Sequence, residues 1–123
     1  MTNYEKGASF EFRVRNVFRN FGYVAERKAA SAPYDIIVMK DGKISFIVDA
    51  KKTSQKNKRY IYLKKHDVEK IIKESEKIKT TPLIVYGFYR TPPFVEFPKN
   101  VVNKKTIRLE EGQELVEFLR NIN

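Results

Sequence analysis

Three segments of the chain place apolar residues at helical spacing: one near each end and one in the middle. Gly22 supplies a stop signal after the first segment, which runs from Glu5 to Phe21, and Thr81-Pro82 ends the second. The pattern predicts three amphipathic helices. Their apolar stripes consist of Phe10, Val14, Val17, Phe18 and Phe21; of Val68, Ile71, Ile72, Ser75 and Ile78; and of Leu115, Val116, Leu119 and Ile122.

The remaining apolar stretches are short and rich in β-branched and aromatic residues, which is typical of strands. They cover residues 23–28, 35–39, 44–50, 83–89 and 94–97. The order αβββαββα predicts a single α/β layer architecture, with a central mixed sheet of about five strands flanked by helices. We expect residues 1–123 to form a single domain.

Composition supports a folded protein, since 41% of the residues are hydrophobic and nine Phe and seven Tyr are present. No cysteine is present, which excludes a disulfide framework and thiolate zinc sites. Neither an apolar signal segment nor an apolar run of membrane-spanning length occurs. We therefore expect an intracellular, cytoplasmic protein that does not bind membranes.

The charge balance indicates the partner. Lys and Arg number 25 against 15 acidic residues, for a net charge of +10 on a small surface. Lysine-rich surfaces adapted to heat usually balance Lys with Glu, and this one does not. Nucleic acid is the natural partner for so much positive potential.

Asp49-Ala50-Lys51 closes the third predicted strand and is the first candidate for chemistry. Side chains two apart on a strand share a face, so the carboxylate and the ammonium can share one site. By itself the triplet is a weak signal, because a solvated strand end has the same composition.

Asp35 opens the preceding strand, where a buried carboxylate without a partner would be costly. A two-residue turn at Asp41-Gly42 would send Asp35 to the wrong face, away from Asp49. We therefore predict a three-residue loop, Lys40-Asp41-Gly42 with Gly42 left-handed, or a bulge with the same effect. In the predicted register the two aspartates lie diagonally across one face, about 7 to 8 Å apart at the backbone.

Glu11 borders the buried stripe of the first helix and can lean over the sheet. The alternative is a boundary glutamate paired with Arg15, four residues on. Three carboxylates and a lysine suit phosphodiester hydrolysis, because hard oxygen ligands select Mg²⁺ or, in its place, Mn²⁺. Lys51 would then offset charge on the phosphate. His66 is the only histidine, so zinc is not expected, and no small-molecule cofactor is expected.

Basic residues follow this site and predict contacts with the phosphate backbone of DNA. For Arg13, Arg15 and Arg19 on the first helix, a solvated helix surface is an equally good interpretation, and Tyr60 and Tyr62 are typical of packing or phosphate hydrogen bonding. The candidate DNA-binding residues are Lys6, Arg13, Lys28, Lys52, Lys56, Lys58, Arg59, Lys64 and Lys65.

The chain resembles the archaeal-type Holliday junction resolvases of the PD-(D/E)xK nuclease superfamily. The resemblance covers most of residues 4–90 and depends on the ordered set of elements rather than on any one of them. These elements are Lys6-Gly7-Ala8-Ser9-Phe10-Glu11, Phe21-Gly22-Tyr23, Ala30-Ser31, Pro33-Tyr34-Asp35-Ile36, Val48-Asp49-Ala50-Lys51 and Leu63-Lys64-Lys65-His66-Asp67-Val68-Glu69-Lys70.

The resemblance implies a restriction-endonuclease-like fold, with residues 1–123 as a single nuclease domain. It also implies a homodimer that binds a four-way DNA junction and nicks two opposing strands with Mg²⁺. It implies that Glu11, Asp35, Asp49 and Lys51 are catalytic and that Ser31 helps to place the scissile phosphate. Two positions depart from the family pattern: Asp49 stands where Glu is frequent, and Asp67 where Gln is frequent. The small size and divergent sequence would suit a virus- or plasmid-encoded archaeal member.

Several alternatives stay open at this point. The same site would serve a repair or restriction-type nuclease on duplex or flapped DNA. The same basic surface would serve a non-catalytic DNA-binding module, and a protein-interaction domain is a third possibility. Four aromatic residues and a valine between residues 88 and 97 indicate either a dimer surface or additional core. They are Phe88, Tyr89, Phe94, Val95 and Phe97.

Overall fold

The computed structural model describes the backbone of residues 3–123 and the side chains from residue 8 onward. The three helices are α1 (Asn3–Asn20), α2 (Lys65–Ile78) and α3 (Leu115–Ile122). The strands are β1 (Val24–Arg27), β2 (Ile36–Lys40), β3 (Lys43–Lys52), β4 (Tyr60–Tyr62), β5 (Thr81–Gly87), β6 (Phe94–Glu96), β7 (Thr106–Arg108) and β8 (Gln113–Glu114). Two single-turn 3₁₀ helices cover Pro98–Asn100 and Leu109–Glu111.

Six strands form the main sheet in the order β1-β2-β3-β5-β6-β8. β3 and β5 are parallel, because α2 connects them, and the other neighbours are antiparallel. β4 and β7 pair separately as an antiparallel ribbon. The predicted α/β class with a mixed sheet is confirmed, although the expected strand count of about five was too low. That residues 1–123 together form a single nuclease domain stays a prediction.

The sheet separates two hydrophobic cores. On one face, α1 and α3 pack through residues such as Phe10, Phe18 and Leu119. Phe10 comes so close to β5 that a Cβ on Gly87 would lie 2.7 Å from its ring, so this position needs glycine for the close approach. On the other face, Val68 of α2 packs with alternate residues of β5 and with the β4–β7 ribbon. Residues that alternate along a central strand thus enter different cores.

The hairpin between β2 and β3 has a two-residue turn, so the predicted three-residue loop is wrong. Lys40 pairs with Lys43 across Asp41 and Gly42, which both have positive φ, at 53° and 77°. A bulge follows, because Val38 pairs with Phe46 while Met39 pairs with Ile44, and Ser45 has no partner. The extra residue Ser45 returns Asp35 to the same face as Asp49, which a two-residue turn alone would not do. This is the effect that we predicted for a bulge.

Of the five residues for which a dimer surface and a core were the two alternatives, three enter or pack against the core, which favours the core interpretation for those three. Phe88 and Val95 are 2% and 5% exposed, and Phe94 packs against the second core. Phe97 is exposed, and Tyr89 is half-buried. Phe88 directly follows β5, which lies inside the sheet. Phe94 and Val95 belong to β6, which lies between β5 and β8, so neighbouring elements cover these three residues. None of the helices described is long and apolar enough to cross a membrane.

Candidate active site

A pocket of about 310 Å³ lies where β2 begins and β3 ends. It brings together four of the residues predicted to be catalytic: one from α1, one at the start of β2 and two from β3. Two residues of α2 complete the charged lining. The lining residues are Glu11, Ala32, Pro33, Tyr34, Asp35, Asp49, Ala50, Lys51, Asp67 and Lys70.

Strand alternation places the two aspartates and the lysine on one face of the sheet. Asp49 and Lys51 are two apart on β3, and they pair with Ile84 and Tyr86 of β5, which face the second core. Ile36 pairs with Val48, so Asp35, one residue earlier in β2's approach, faces the same side as Asp49. The register is direct rather than the predicted diagonal, because the two-residue turn and the unpaired Ser45 each shift the pairing by one residue.

Asp35 is held against β3 through both its side chain and its backbone. Its Oδ2 accepts a 2.7 Å hydrogen bond from the backbone N–H of Ala50, and its own N–H donates to the carbonyl of Val48 at 2.8 Å. A hydrogen bond from a backbone N–H to a carboxylate is among the stronger ones, so Asp35 is fixed against the end of β3. Asp35 also lines the charged pocket.

Asp49 is a buried carboxylate without full compensation. Its side chain is 16% exposed, and Oδ2 lies 3.4 Å from the Lys51 ammonium without the alignment of a hydrogen bond. The pKa of Asp49 is raised to about 6, mainly by burial and also by the nearby Asp35 carboxylate, while Lys51 acts to lower it. A buried oxygen with no hydrogen-bond donor is costly in a folded protein, and a cation would offset that cost.

Lys51 lies between two carboxylates from different elements. Its Nζ is 3.4 Å from Asp49 Oδ2 on its own strand and 3.7 Å from Asp67 Oδ2 on α2. Sequence reasoning left the role of Asp67 in doubt and did not single out Lys70 as a site residue. Their spacing of three residues on a helix was the available signal, since residues three apart share a helix face. Which face meets the pocket depends on how α2 packs.

Glu11 lines the pocket from α1, but a neighbouring arginine occupies one of its oxygens. Arg27 Nε donates to Glu11 Oε1 at 2.8 Å, and the two side chains are 27% and 21% exposed. The alternative, in which Glu11 pairs with Arg15, is therefore wrong, because the partner of Glu11 is Arg27. Arg15 instead donates to Asn16, and its guanidinium lies 4.7 Å from the centre of the Phe12 ring.

The donor set fits a hard divalent cation. Among residues 8–123, no three acidic, histidine or cysteine side chains are gathered closely enough to hold a metal as they stand. Mg²⁺ does not need such a cage, because it is usually bound through one or two carboxylates, several waters and substrate phosphates. Asp35 and the donor-free oxygen of Asp49 meet that requirement. Glu11 as a third ligand stays a prediction, since it would have to share or leave Arg27.

Ser31, predicted to place the scissile phosphate, is exposed and is not one of the residues that line the pocket. Ala32 and Pro33, which follow it, do line the pocket, so Ser31 lies at its rim by chain connectivity. His66 is exposed on α2.

The basic residues predicted to bind DNA occupy several elements. Lys6 lies outside the residues whose side chains are described. Arg13 is exposed on α1 and reaches the carbonyl of Thr91 at 3.4 Å, while Lys52 ends β3 with Nζ 5.9 Å from the Phe10 ring centre. Outside the loop after β3, Lys28, Lys64 and Lys65 are exposed. Within that loop, Lys56 and Arg59 are exposed and Lys58 is half-buried.

Fold and site together define a class. A mixed sheet with helices on both faces, two aspartates and a lysine at one sheet end, and a glutamate from the first helix are the arrangement of restriction-endonuclease-like α/β proteins. The chain belongs to the archaeal Holliday junction resolvase (hjc) family, whose sequence model matches residues 2–122. The family expected from the sequence is confirmed.

Two relatives illustrate the likeness. The crossover junction endodeoxyribonuclease Hjc of Methanocaldococcus jannaschii is 33% identical over 85 residues, which make up 69% of this chain and 61% of that protein. The chain is also similar to the 1.6 Å structure of Archaeoglobus fulgidus Hjc, a Holliday junction resolvase from an archaeal hyperthermophile. That match has a TM-score of 0.78 and 17% identity, and it covers 94% of this chain and 96% of the other. At this identity the second likeness is one of fold.

Proposed function

We propose that this protein is a metal-dependent endonuclease that resolves four-way DNA junctions. The observation that carries the proposal is the shared pocket of Asp35, Asp49 and Lys51 in a member of the archaeal Holliday junction resolvase family. The donor-free oxygen of Asp49 supports it further, because a buried carboxylate in this state favours a cation.

In this proposal Asp35 and Asp49 hold Mg²⁺, and Mn²⁺ can replace it. A bound divalent ion supplies polarisation of the phosphate and an activated water. The backbone N–H of Ala50 orients Asp35, and Asp67 helps to hold the Lys51 ammonium in the pocket. Lys51 then offsets the negative charge that develops on the scissile phosphate. Glu11 would be the third ligand, and Ser31 would contact the phosphate from the rim.

We further infer that the active form is a homodimer. Symmetric cuts on opposite arms of a junction require two identical sites at a fixed separation, which a two-fold dimer provides. The junction arms are bound by exposed basic residues of α1, of the β3–β4 loop and of the start of α2. The protein acts in the cytoplasm of an archaeal cell or of a virus-infected archaeal cell. Light scattering on the purified protein, with and without junction DNA, measures the stoichiometry.

The decisive experiment compares cleavage of an immobile four-way junction with cleavage of linear duplexes of the same arm sequences. We expect paired nicks on opposing strands of the junction with Mg²⁺ and none with a chelator. Faster cutting of the duplex would instead support a repair or restriction-type nuclease. Binding without cleavage under any divalent metal would support a non-catalytic DNA-binding module.

A further inference from the structure

The β4–β7 ribbon presents an unusual outer face. Ile61 of β4 pairs with Ile107 of β7, and both side chains are buried in the second core. Alternation therefore turns the residues on either side of Ile61 away from the core. These are Tyr60 and Tyr62, which pair with Arg108 and Thr106 across the ribbon.

Both tyrosines are largely open to solvent. Tyr60 is 37% exposed and Tyr62 is 64% exposed. Their rings meet edge to face, with centres 5.3 Å apart and planes at 90°. Contact between the two rings stabilises the fold modestly. Much of their apolar surface nevertheless stays in water, where it adds nothing to the core. Packing alone therefore does not account for two aromatic residues at these positions.

Cations surround the aromatic pair. The Lys58 ammonium lies 5.4 Å from the centre of each ring, and Arg108 is exposed on the neighbouring strand. A shallow depression beside Tyr60 is lined by Gln55, Lys56, Asn57 and Lys58, so amide groups lie there as well. Hydrogen bonding with Tyr60 raises the pKa of Tyr62 above its usual value.

Exposed aromatic rings on a β-sheet, bordered by lysine and arginine, are the features that bind single-stranded nucleic acid. Each base can stack on a ring, whatever its identity, while the cations follow the phosphates. We propose that the outer face of the β4–β7 ribbon, formed by Tyr60, Tyr62, Lys58 and Arg108, is a stacking platform for unpaired bases of DNA. This inference rests on the proposed function in one respect, namely that a branched substrate supplies such bases.

Connectivity places the platform where it can act with the pocket. The loop of residues 53–59 joins β3, which carries Asp49 and Lys51, directly to Tyr60. A base held on the ribbon would thus belong to a strand that runs along the basic loop. The competing explanation is that the two phenol hydroxyls and Lys58 contact phosphates only, with no role for the ring faces.

The test uses single strands without divalent metal, so that it does not depend on cleavage. Fluorescence anisotropy measures the Kd for a labelled oligothymidylate of about twelve nucleotides and for an abasic phosphodiester strand of equal length. The two strands share phosphates and differ in bases. The variants are Tyr60→Leu/Tyr62→Leu, which removes the rings, and Tyr60→Phe/Tyr62→Phe, which removes only the hydroxyls. Phe97→Leu, an exposed aromatic position outside the ribbon, is the matched control.

We expect the unmodified protein to bind oligothymidylate roughly tenfold more tightly than the abasic strand. The double leucine variant should lose that preference, while the double phenylalanine and Phe97→Leu variants keep it. The slope of log Kd against log salt should stay the same in the leucine variant, because stacking releases no counterions. Lys58→Ala should reduce that slope by somewhat less than one.

Equal binding of the two strands by the unmodified protein would overturn the proposal. So would a double phenylalanine variant that loses as much as the leucine variant, since it would assign the contact to the hydroxyls. Circular dichroism and thermal unfolding check that the variants fold, and the single change Tyr62→Leu replaces the double one if it does not. Failure here leaves metal-dependent junction cleavage intact, whereas failure of junction cleavage leaves strand binding intact.

Discussion

Strand alternation has opposite results in the acidic pocket and on the β4–β7 ribbon: it buries side chains in the first and exposes them in the second. In the pocket, alternation directs Asp49 and Lys51 into a partly closed space where their side chains are 16% and 20% exposed. On the ribbon, it directs Tyr60 and Tyr62 into solvent. Moving charged groups out of water into the pocket costs stability. Leaving apolar rings exposed on the ribbon loses the stability that their burial would give.

This difference separates chemistry from binding. Buried charges act strongly on a phosphate because water screens them little, so changes in the pocket should alter the rate of cleavage. Exposed rings and cations change affinity in steps of one base or one phosphate. The predictions below test the pocket side of this comparison, beginning with the largest expected effect.

Asp49→Asn should reduce junction cleavage with Mg²⁺ by about 10³-fold or more, because an amide binds the divalent ion weakly and leaves the phosphate unpolarised. Single-turnover rates at saturating protein measure the effect. Junction affinity in the presence of chelator should change little. The matched control is Asp41→Asn, the same chemical change at the exposed hairpin turn. Cleavage at near-normal rate by Asp49→Asn would remove the pocket from the mechanism.

Lys51→Ala should slow cleavage by roughly 10²- to 10³-fold through loss of charge stabilisation near the phosphate. Because Lys51 lies inside the pocket between Asp49 and Asp67, its removal should lower the rate constant more than the affinity. Lys43→Ala, at the exposed opposite end of β3, is the control. If Lys51→Ala weakened binding and left the saturated rate intact, the lysine would be an ordinary phosphate contact.

The pH dependence of stability should report the buried carboxylate. The folded pKa of Asp49 is raised from 3.8 to about 6, so the folded protein binds its proton more tightly than the unfolded chain does. Stability is therefore lost as pH rises from about 4 to about 6, and the cost of ionisation is fully present above that range. In the metal-free protein at pH 7, Asp49→Asn should raise the free energy of unfolding by about 1 to 3 kcal/mol.

Urea unfolding with chelator at pH 7 and at pH 4 measures this effect. The gain should shrink toward zero at the lower pH, where Asp49 is protonated in the folded protein and already about half protonated in the unfolded chain. Added Mg²⁺ should narrow the difference at pH 7 by stabilising the unsubstituted protein alone. A destabilised Asp49→Asn at pH 7 would contradict the assignment of Asp49 as a carboxylate without full compensation.

Asp67→Asn should have the smallest effect, a decrease in cleavage of up to about tenfold. Asp67 is 39% exposed and 3.7 Å from Lys51, so solvent weakens its hold on the ammonium. The change should lower the saturated rate rather than the affinity, and Asp67→Glu should rescue part of it. Glu76→Gln, exposed on the same helix, is the control. An equal loss in the control would assign the effect to helix α2 as a whole.

Much of the site geometry could be predicted because alternation within a strand is local. Asp49 and Lys51 share a face whatever surrounds them, and Asp35 had to join that face if the carboxylates were to meet. The turn itself could not be predicted, since Asp41-Gly42 suits a two-residue hairpin and no residue signals that Ser45 will be left unpaired. A bulge forms where the twist and packing of two strands require it, so its position depends on the assembled sheet.

The sequence alone determined the helices, the main strands and the family, because each depends on periodicity or on ordered local elements. Only the tertiary structure decided that Arg27 holds Glu11, that Asp67 and Lys70 enter the pocket, and that Phe88 and Val95 lie in the core. The strands β4, β7 and β8 have two or three residues each, too few to show a period. Contacts between distant segments depend on which faces meet, and that choice is made by packing the whole chain at once.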